Sequence, residues 1–240
     1  MSRSFWDRWA WFYDLAERSN ARAYGCAAAR VGALVPAGAR VLDCAAGTGK
    51  FSLAAAESAA SVLCTDLSEP MLARARRKAS RLGLSNIEFA IRDITALPDP
   101  DGAFDVVIAA NVLHLLPQPG AAVRELWRVA APGGRLILPT FLQGRVGTAY
   151  GTMIKIYQGV GFHYEHAFTP ETYRDFLEGL GLGPVQVEVI PGRVPEGIAV
   201  MKKRGGAGSE GAWSGAKARA QSPQSGVGAC LSRSESDRTS

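Results

Sequence analysis

Three acidic residues that each follow a short apolar segment have the clearest chemical potential in this sequence. They are Asp43, Asp66 and Asp93. The first precedes a run of small residues at positions 44–49 that contains two glycines. Glycine lets backbone come close to a ligand because it has no Cβ. The pattern indicates a ligand-binding loop between a strand and a helix, with acids placed to accept hydrogen bonds or to face a positive charge.

Two nucleotide-binding motifs fit the segment Val41–Ser52 poorly. A triphosphatase loop, Gly-x-x-x-x-Gly-Lys-Ser/Thr, would need glycine at Cys44 and a hydroxyl at Phe51. The dinucleotide motif Gly-x-Gly-x-x-Gly would need its third glycine at Ser52, and Asp43 would repel a pyrophosphate. Asp43 instead favours a ligand whose near end carries a cation.

Five segments, in order, resemble motifs of the class I S-adenosylmethionine-dependent methyltransferases. The closest resemblance is to the branch of ubiquinone/menaquinone C-methyltransferases and related small-molecule enzymes, and it runs from about Phe5 to Lys203. Ala45 departs from the glycine of many relatives. The resemblance implies S-adenosyl-L-methionine as cofactor, whose ammonium fits Asp43. The five segments are Val41–Gly49, Leu63–Leu72, Arg92–Pro98, Phe104–His114 and Val129–Leu136.

The resemblance also implies which residues hold the cofactor. Asp43 would receive the ammonium, and Asp66, 23 residues later, would accept the ribose hydroxyls; the corresponding acid of nucleotide folds follows after about 20 residues. Leu67 and Met71 would enclose the adenine, and Asp93 would accept from its amino group. The full predicted set is Tyr13, Asp43, Ala45, Gly47, Gly49, Asp66, Leu67, Met71, Asp93, Ile94 and Asn111.

A structural role is the alternative for each acid. A strand-terminal aspartate often caps a helix or forms a turn, and for Asp93 both interpretations stay open. Asp105, just before the fourth apolar run, is predicted to be a turn acid with a structural role.

The predicted catalytic residues, Asn111 and His114, follow the fourth apolar segment and so lie at the same edge of the sheet. Methyl transfer from a sulfonium mainly requires the reacting atoms in line, and a base helps only where the acceptor loses a proton. His114 is the best base candidate, with an ordinary pKa close to working pH. Its alternative role is a partly buried residue of a helical turn.

Two further segments have weaker signals. His163 and His166 are spaced for a metal, but no third ligand follows at a matching spacing, so we expect no metal and favour a pocket wall. The aromatic segment Phe5–Asp14 resembles the N-terminal lid of this branch, with Tyr13 as its predicted contact to cofactor or substrate. An ordinary amphipathic helix would have the same pattern.

The elements that would position these residues alternate in type. Apolar runs on both sides of a strand are typical of a sheet covered on both faces. We predict an α/β, Rossmann-like doubly wound sheet, mainly parallel and seven-stranded, with helices on both faces and an antiparallel closing strand. The predicted strands are Arg40–Cys44, Ser61–Thr65, Ile87–Ile91, Phe104–Ala109, Arg135–Pro139, Val185–Ile190 and Gly197–Met201. The predicted helices are Phe5–Ala16, Arg22–Leu34, Lys50–Ala60, Glu69–Leu82, Gly120–Val129 and Pro170–Gly179.

Composition divides the chain into three parts. Residues 1–36 are predicted as an N-terminal helical lid. Residues 37–203 form the cofactor-binding methyltransferase domain, with a substrate-side insertion at about 141–168. Residues 204–240, rich in glycine and serine, are predicted to be a disordered tail.

Net charge and the length of apolar stretches indicate which classes of partner to expect. The net charge of +5 divides into +3 for residues 1–203 and +2 for the tail. Apart from a short basic group at positions 74–81, neither part has a dense basic run, so nucleic acid is not expected. No apolar stretch reaches the roughly 18 residues of a membrane span. We predict a cytoplasmic monomer or homodimer that methylates a small, possibly lipophilic organic acceptor. The alternatives are a non-catalytic S-adenosylmethionine-binding protein and a nicotinamide oxidoreductase, the latter disfavoured by Asp43 and Ser52.

Overall fold

A computed structural model describes residues 20–143, 165–192 and 194–205, and all structural statements refer to them. The strands are β1 (Arg40–Cys44), β2 (Ser61–Asp66), β3 (Ile87–Ile91), β4 (Phe104–Ala109), β5 (Ala130–Phe141), β6 (Val185–Ile190) and β7 (Glu196–Lys202). The helices are α1 (Ala21–Leu34), α2 (Lys50–Ala56), α3 (Glu69–Arg81), α4 (Pro119–Val129) and α5 (Pro170–Glu178), with a 3-10 turn at Leu113–Leu115.

The seven strands form one sheet in the order β3-β2-β1-β4-β5-β7-β6. Strands β1 to β5 pair in parallel, whereas β7 runs antiparallel to both of its neighbours, β5 and β6. The predicted fold class, a mainly parallel sheet closed by an antiparallel strand, is confirmed.

Both faces of the sheet are covered because successive strand residues point to opposite sides. Val41 packs with α1 and α2 on one face, and its neighbour Leu42 packs with α4 and α5 on the other. Helix α3 packs through Leu72 and Ala75 on Cys64. Cys64 and Val62 are two positions apart on β2, and side chains at this spacing point to the same face, so α3 lies on the same face as α1 and α2. Helix α1 is thus part of the domain core as well as a segment of the predicted lid.

Four predicted strands have the predicted limits, and the largest difference is at β5. This strand begins at Ala130 rather than Arg135, because Ala130 pairs with Phe104 before a bulge shifts the register. The segment Pro132–Gly134, whose residue types are typical of a turn, therefore lies inside the strand. Helix α2 ends at Ala56 instead of Ala60, since the chain turns there and Ser58 accepts from Gly38 N.

Two helices begin at a side-chain cap. Ser68 caps α3 by accepting from Met71 N at 3.4 Å, and Thr169 caps α5 in a reciprocal pair with Thr172. Asp105 has a structural role, as predicted, but it lies inside β4 and not in a turn. It accepts from the Arg40 backbone N and from two of its guanidinium nitrogens at 2.9–3.1 Å, at the edge where β1 and β4 begin.

Three predicted features lie outside the described residues: the helix Phe5–Ala16, most of the insertion and almost all of the tail. The division into lid, domain and tail therefore stays a prediction. Within the described residues, no helix is both long and apolar enough to cross a membrane.

The end of α4 is held by one lysine. Lys203 Nζ donates to Trp127 O at 2.7 Å and to Ala130 O at 2.8 Å, which are backbone carbonyls that the helix itself leaves without donors. We expect Lys203→Met to lower the free energy of unfolding by about 2 kcal/mol, since two polar groups lose their donor. Thermal or urea unfolding measures the loss. Lys202→Met, at an exposed neighbour, is the matched control and should change stability little; equal losses in both variants would contradict the assignment.

Candidate functional site

The candidate site lies at the edge of the sheet where β1, β2 and β4 end. The chain continues from β1 to β2 and β3 on one side, and returns to place β4 on the other side of β1. Ligands of doubly wound folds bind at such a switch point. Asp43, Asp66 and Asn111 all come from strand ends at this edge, as predicted from their positions in the sequence.

Left-handed backbone shapes the loop between β1 and α2. The φ angles are 52° at Ala45, 56° at Gly47 and 80° at Gly49. Ala46 N donates to Thr65 O at 2.9 Å, which fixes the loop to the end of β2. A Cβ on Gly49 would come within 2.8 Å of the Ala75 Cβ on α3. Glycine at position 49 is therefore required both by φ and by space.

Ala45 has a conformation that favours glycine, and this makes its departure from the motif testable. A left-handed residue with a Cβ is strained by about 1–2 kcal/mol, and glycine removes this strain. The gain is only partial, because glycine loses more conformational freedom on folding than alanine does. We expect Ala45→Gly to raise the free energy of unfolding by about 0.5–1 kcal/mol, measured by chemical denaturation. Ala46→Gly is the control, because Ala46 is not left-handed and should lose stability. A lower free energy of unfolding in both variants would show that Ala45 is not strained.

Asp66 is held by two backbone donors. Gly47 N donates to its Oδ2 at 2.8 Å, and Ser68 N donates to its Oδ1 at 2.9 Å. The carboxylate is thus fixed between the glycine loop and the start of α3. Each carboxylate oxygen can accept more than one hydrogen bond, so the geometry is suited to a ligand with two adjacent hydroxyls.

Asp43 is fully buried under the loop. Its Oδ2 accepts from Ser52 Oγ at 2.5 Å, while its Oδ1 is buried and has no hydrogen-bond partner within the described ranges. Burial raises the pKa of Asp43 to about 7, with a further rise from the charge of Asp66, and the Ser52 hydrogen bond opposes the shift. A buried acceptor without a donor is costly, so this atom is suited to a ligand that brings a donor or a positive charge.

Asn111 follows β4 in a left-handed conformation, with φ 53°. Its backbone N donates to Pro139 O at 2.8 Å, and its Nδ2 donates to Glu196 Oε1 at 2.9 Å. Its Oδ1 is buried, and the described part of the chain offers it no hydrogen-bond donor. Sequence reasoning missed the fully buried Glu196. Its signal was an acid at the start of an otherwise apolar closing strand.

His114 differs from its prediction in one respect. It is 3% exposed, and its Nδ1 lies 3.3 Å from Thr140 Oγ1. Burial lowers the pKa of His114 to about 3, so the expectation of a pKa close to working pH is wrong. The side chain stays neutral at physiological pH, which leaves it able to accept a proton only weakly. Its carbonyl oxygen accepts from Glu165 N and His166 N, which tie the end of the predicted insertion to this turn.

The remaining predicted residues are less informative. Asp93 is exposed and accepts from Thr95 N at 2.8 Å and from Thr95 Oγ1 at 2.7 Å, so the turn-forming role is present while contact with adenine stays a prediction. Ile94 and Met71 are buried, with Met71 2% exposed, and Leu67 is half-buried. Tyr13 and His163 lie outside the described residues.

Two side chains of α4 hold the loop that follows β3. Arg128 donates to Leu97 O at 3.0 Å and to Asp99 O at 2.8 Å, and Leu97 N donates to Glu125 Oε1 at 2.8 Å. Sequence reasoning did not single out this pair, because the partners are backbone groups of a loop far from α4 in the sequence.

Comparison with known proteins gives matches to methyltransferases. Residues 41–134 match the family described as methyltransferase domain. The demethylmenaquinone methyltransferase of Thermus thermophilus is 44% identical over 127 residues, which are 52% of this chain and 57% of that protein. The ubiquinone/menaquinone biosynthesis C-methyltransferase of Cronobacter sakazakii is 34% identical over 131 residues, 52% of this chain and 50% of that protein. This chain therefore spans about half the length of the curated relatives it matches.

A solved structure extends the likeness to the fold. The magnesium protoporphyrin IX methyltransferase of Synechocystis, with bound S-adenosylhomocysteine, aligns with a TM-score of 0.61 over 78% of this chain and 87% of that chain. The two chains are 22% identical, so this match concerns the fold alone.

Proposed function

We propose that this chain, whose fold is that of the class I methyltransferases and whose residues 41–134 match a methyltransferase domain, transfers a methyl group from S-adenosylmethionine to a small organic acceptor by in-line displacement. One observation carries the proposal. Asp43 Oδ1 and Asn111 Oδ1 are buried acceptors that lack donors among the described residues, and they lie at the carboxyl ends of neighbouring parallel strands. A ligand with an ammonium group at this edge supplies donors to both.

The other predicted residues fit the rest of the cofactor. Asp66, fixed by Gly47 N and Ser68 N, accepts the two ribose hydroxyls. Gly47 and Gly49 let the loop pass close to the ligand, and Leu67 contributes an apolar surface for adenine. When bound, S-adenosylmethionine supplies a methyl group on a sulfonium, which is a good leaving group. The protein contributes binding and alignment, and such positioning can lower a barrier by several kcal/mol.

The acceptor is proposed to be small and lipophilic. The Phe141 ring lies 6.0 Å from that of His114 and 6.2 Å from that of Tyr24, so aromatic side chains surround the end of β5 beside the cofactor edge. Tyr24 and His114 are buried, whereas Phe141 is half-buried. A quinone-like acceptor is chemically compatible with the Phe141 ring, as the names of the curated relatives also suggest.

His114 is proposed to accept a proton where the acceptor must lose one. Because burial holds its pKa at about 3, it is neutral from pH 5 to 9, and activity should not change near pH 6.5 on its account. Because a base with so low a pKa contributes little, we expect His114→Gln to lower kcat by only about tenfold, with the affinity for S-adenosylhomocysteine unchanged. Steady-state rates over this pH range, together with calorimetry, test the role. A kcat within twofold of the wild type would show that no base acts at this position.

The function itself is tested in two steps. Calorimetry of the full chain with S-adenosylhomocysteine and with NAD should show binding of the first and none of the second; the reverse result would overturn the proposal. A metabolite extract incubated with methyl-labelled S-adenosylmethionine should then yield one labelled product that is absent without the protein. Binding without any labelled product would instead indicate a non-catalytic S-adenosylmethionine-binding protein.

A further inference from the structure

We propose that Glu196 is a positioning residue that orients the Asn111 amide, so that its oxygen faces the amino-acid end of the cofactor. The inference rests on the proposed function and extends it, because it assigns recognition of the cofactor's ammonium partly to a residue on β7. Neither the motifs of the glycine loop nor the segment after β4 contains this residue.

The sheet register brings Glu196 to the site edge. Glu196 is the first residue of β7 and pairs with Phe141, the last residue of β5. Strand β5 also pairs with β4, which Asn111 follows. Glu196 is fully buried, and its Oε1 accepts from Asn111 Nδ2 at 2.9 Å. A carboxylate buried at the end of a closing strand is unusual unless it is paired, and here one of its partners belongs to the site.

The chemistry of the amide explains why the contact fixes an orientation. The two ends of an asparagine side chain differ, since the nitrogen only donates and the oxygen only accepts. Glu196 Oε1 is the acceptor in this contact, so it selects the nitrogen and leaves Asn111 Oδ1 turned away from it. The backbone is already fixed, because Asn111 is left-handed and its N–H is bonded to Pro139 O. Glu196 therefore determines the remaining choice, which end of the amide the ligand meets.

The consequence is specificity for an amine. With the oxygen turned to the site, Asn111 Oδ1 and Asp43 Oδ1 present two acceptors at the ends of neighbouring strands, and both are buried without donors from the described residues. If the amide turned over, its NH2 group would face the ammonium and repel it. The contribution of Glu196 should thus appear only with ligands that carry the amino-acid end.

The experiment compares two ligands by calorimetry on the full-length chain. S-adenosylhomocysteine carries the ammonium, whereas 5′-methylthioadenosine has the same adenosine and thioether without the amino-acid end. We expect Glu196→Gln to weaken the binding of S-adenosylhomocysteine by about tenfold, which is the size of a lost charge-assisted hydrogen bond. The affinity for 5′-methylthioadenosine should stay within about twofold of the wild type. Glu188→Gln is the matched control, because Glu188 lies on β6 and pairs with Arg30 away from Asn111; it should change neither affinity.

A swapped pair separates orientation from structural support. In the double variant Asn111→Asp with Glu196→Gln, the glutamine donates to one aspartate oxygen and the other oxygen again faces the site. We expect this variant to recover most of the affinity for S-adenosylhomocysteine, whether or not Glu196→Gln alone folds well. Equal weakening of both ligands by Glu196→Gln, or no recovery in the swap, would overturn the inference. Failure of the wild-type chain to bind S-adenosylhomocysteine at all would instead count against the proposed function.

Discussion

Asp66→Ala is expected to weaken S-adenosylhomocysteine binding by about 100-fold or more. The carboxylate is fixed by Gly47 N and Ser68 N and is proposed to accept both ribose hydroxyls. A hydrogen bond to a charged group contributes about 1.5–3 kcal/mol, so the loss of two gives at least this factor. The variant also releases the glycine loop from the start of α3, which adds to the effect. Calorimetry measures the affinity directly.

The control for this prediction is another aspartate at a different edge. Asp105 pairs with Arg40 where β1 and β4 begin, and Asp105→Ala should leave the affinity unchanged. Thermal unfolding of both variants checks that each is folded at the assay temperature. If Asp66→Ala binds S-adenosylhomocysteine with near-wild-type affinity, Asp66 does not bind the ribose hydroxyls. This conclusion holds even if the chain still methylates an acceptor.

Asp43→Asn is expected to stabilise the free protein at high pH and to weaken cofactor binding strongly. The pKa of Asp43 is about 7 in the folded chain against an ordinary 3.8, because burial penalises the charged form. A pKa raised by folding contributes stability that is full below pH 3.8 and is lost as the pH rises to 7. Asparagine does not titrate and can still pair with Ser52. The difference between a pKa of 3.8 and one of about 7 corresponds to a loss of up to about 4 kcal/mol in the free energy of unfolding.

Thermal unfolding of the wild type and of Asp43→Asn, without ligand at pH 4.5 and pH 8, tests the direction of this pH dependence. The advantage of Asp43→Asn should be much larger at pH 8, and a difference independent of pH would contradict the buried charge. Binding gives the complementary result. Since the ammonium favours the ionised carboxylate, the affinity of the wild type for S-adenosylhomocysteine should rise with pH up to about 7. The asparagine variant should bind weakly at every pH.

Much of the fold follows from local sequence, and the resemblance to the class I methyltransferases is confirmed. Apolar runs such as Arg40–Cys44 and Phe104–Ala109 are strands with the predicted limits, because residues buried on both faces leave a continuous signal. Asp43 and Asp66 meet at one edge because the carboxyl ends of parallel strands share it. Both features can be predicted once the type and order of the strands and helices are known.

Other features depend on packing that no local pattern contains. The contact between Asn111 and Glu196 joins residues 85 positions apart and requires the register of β7 on β5. The pKa of His114 depends on what surrounds its ring, whereas the sequence gives only its ordinary value. The early start of β5 follows from a bulge opposite Phe104. In each case the missing information is which distant segments pack together.

The strand order also has a consequence for synthesis of the chain. Strand β6 is made before β7, yet in the sheet it lies at the edge and pairs with β7, which in turn pairs with β5. A nascent chain that ends before Glu196 therefore has β6 without its neighbour and β5 with one side uncovered. The carboxylate that holds Asn111 leaves the ribosome together with the strand that joins β6 to the sheet. Completion of the sheet and completion of the proposed amine-recognition site therefore depend on the same strand, β7.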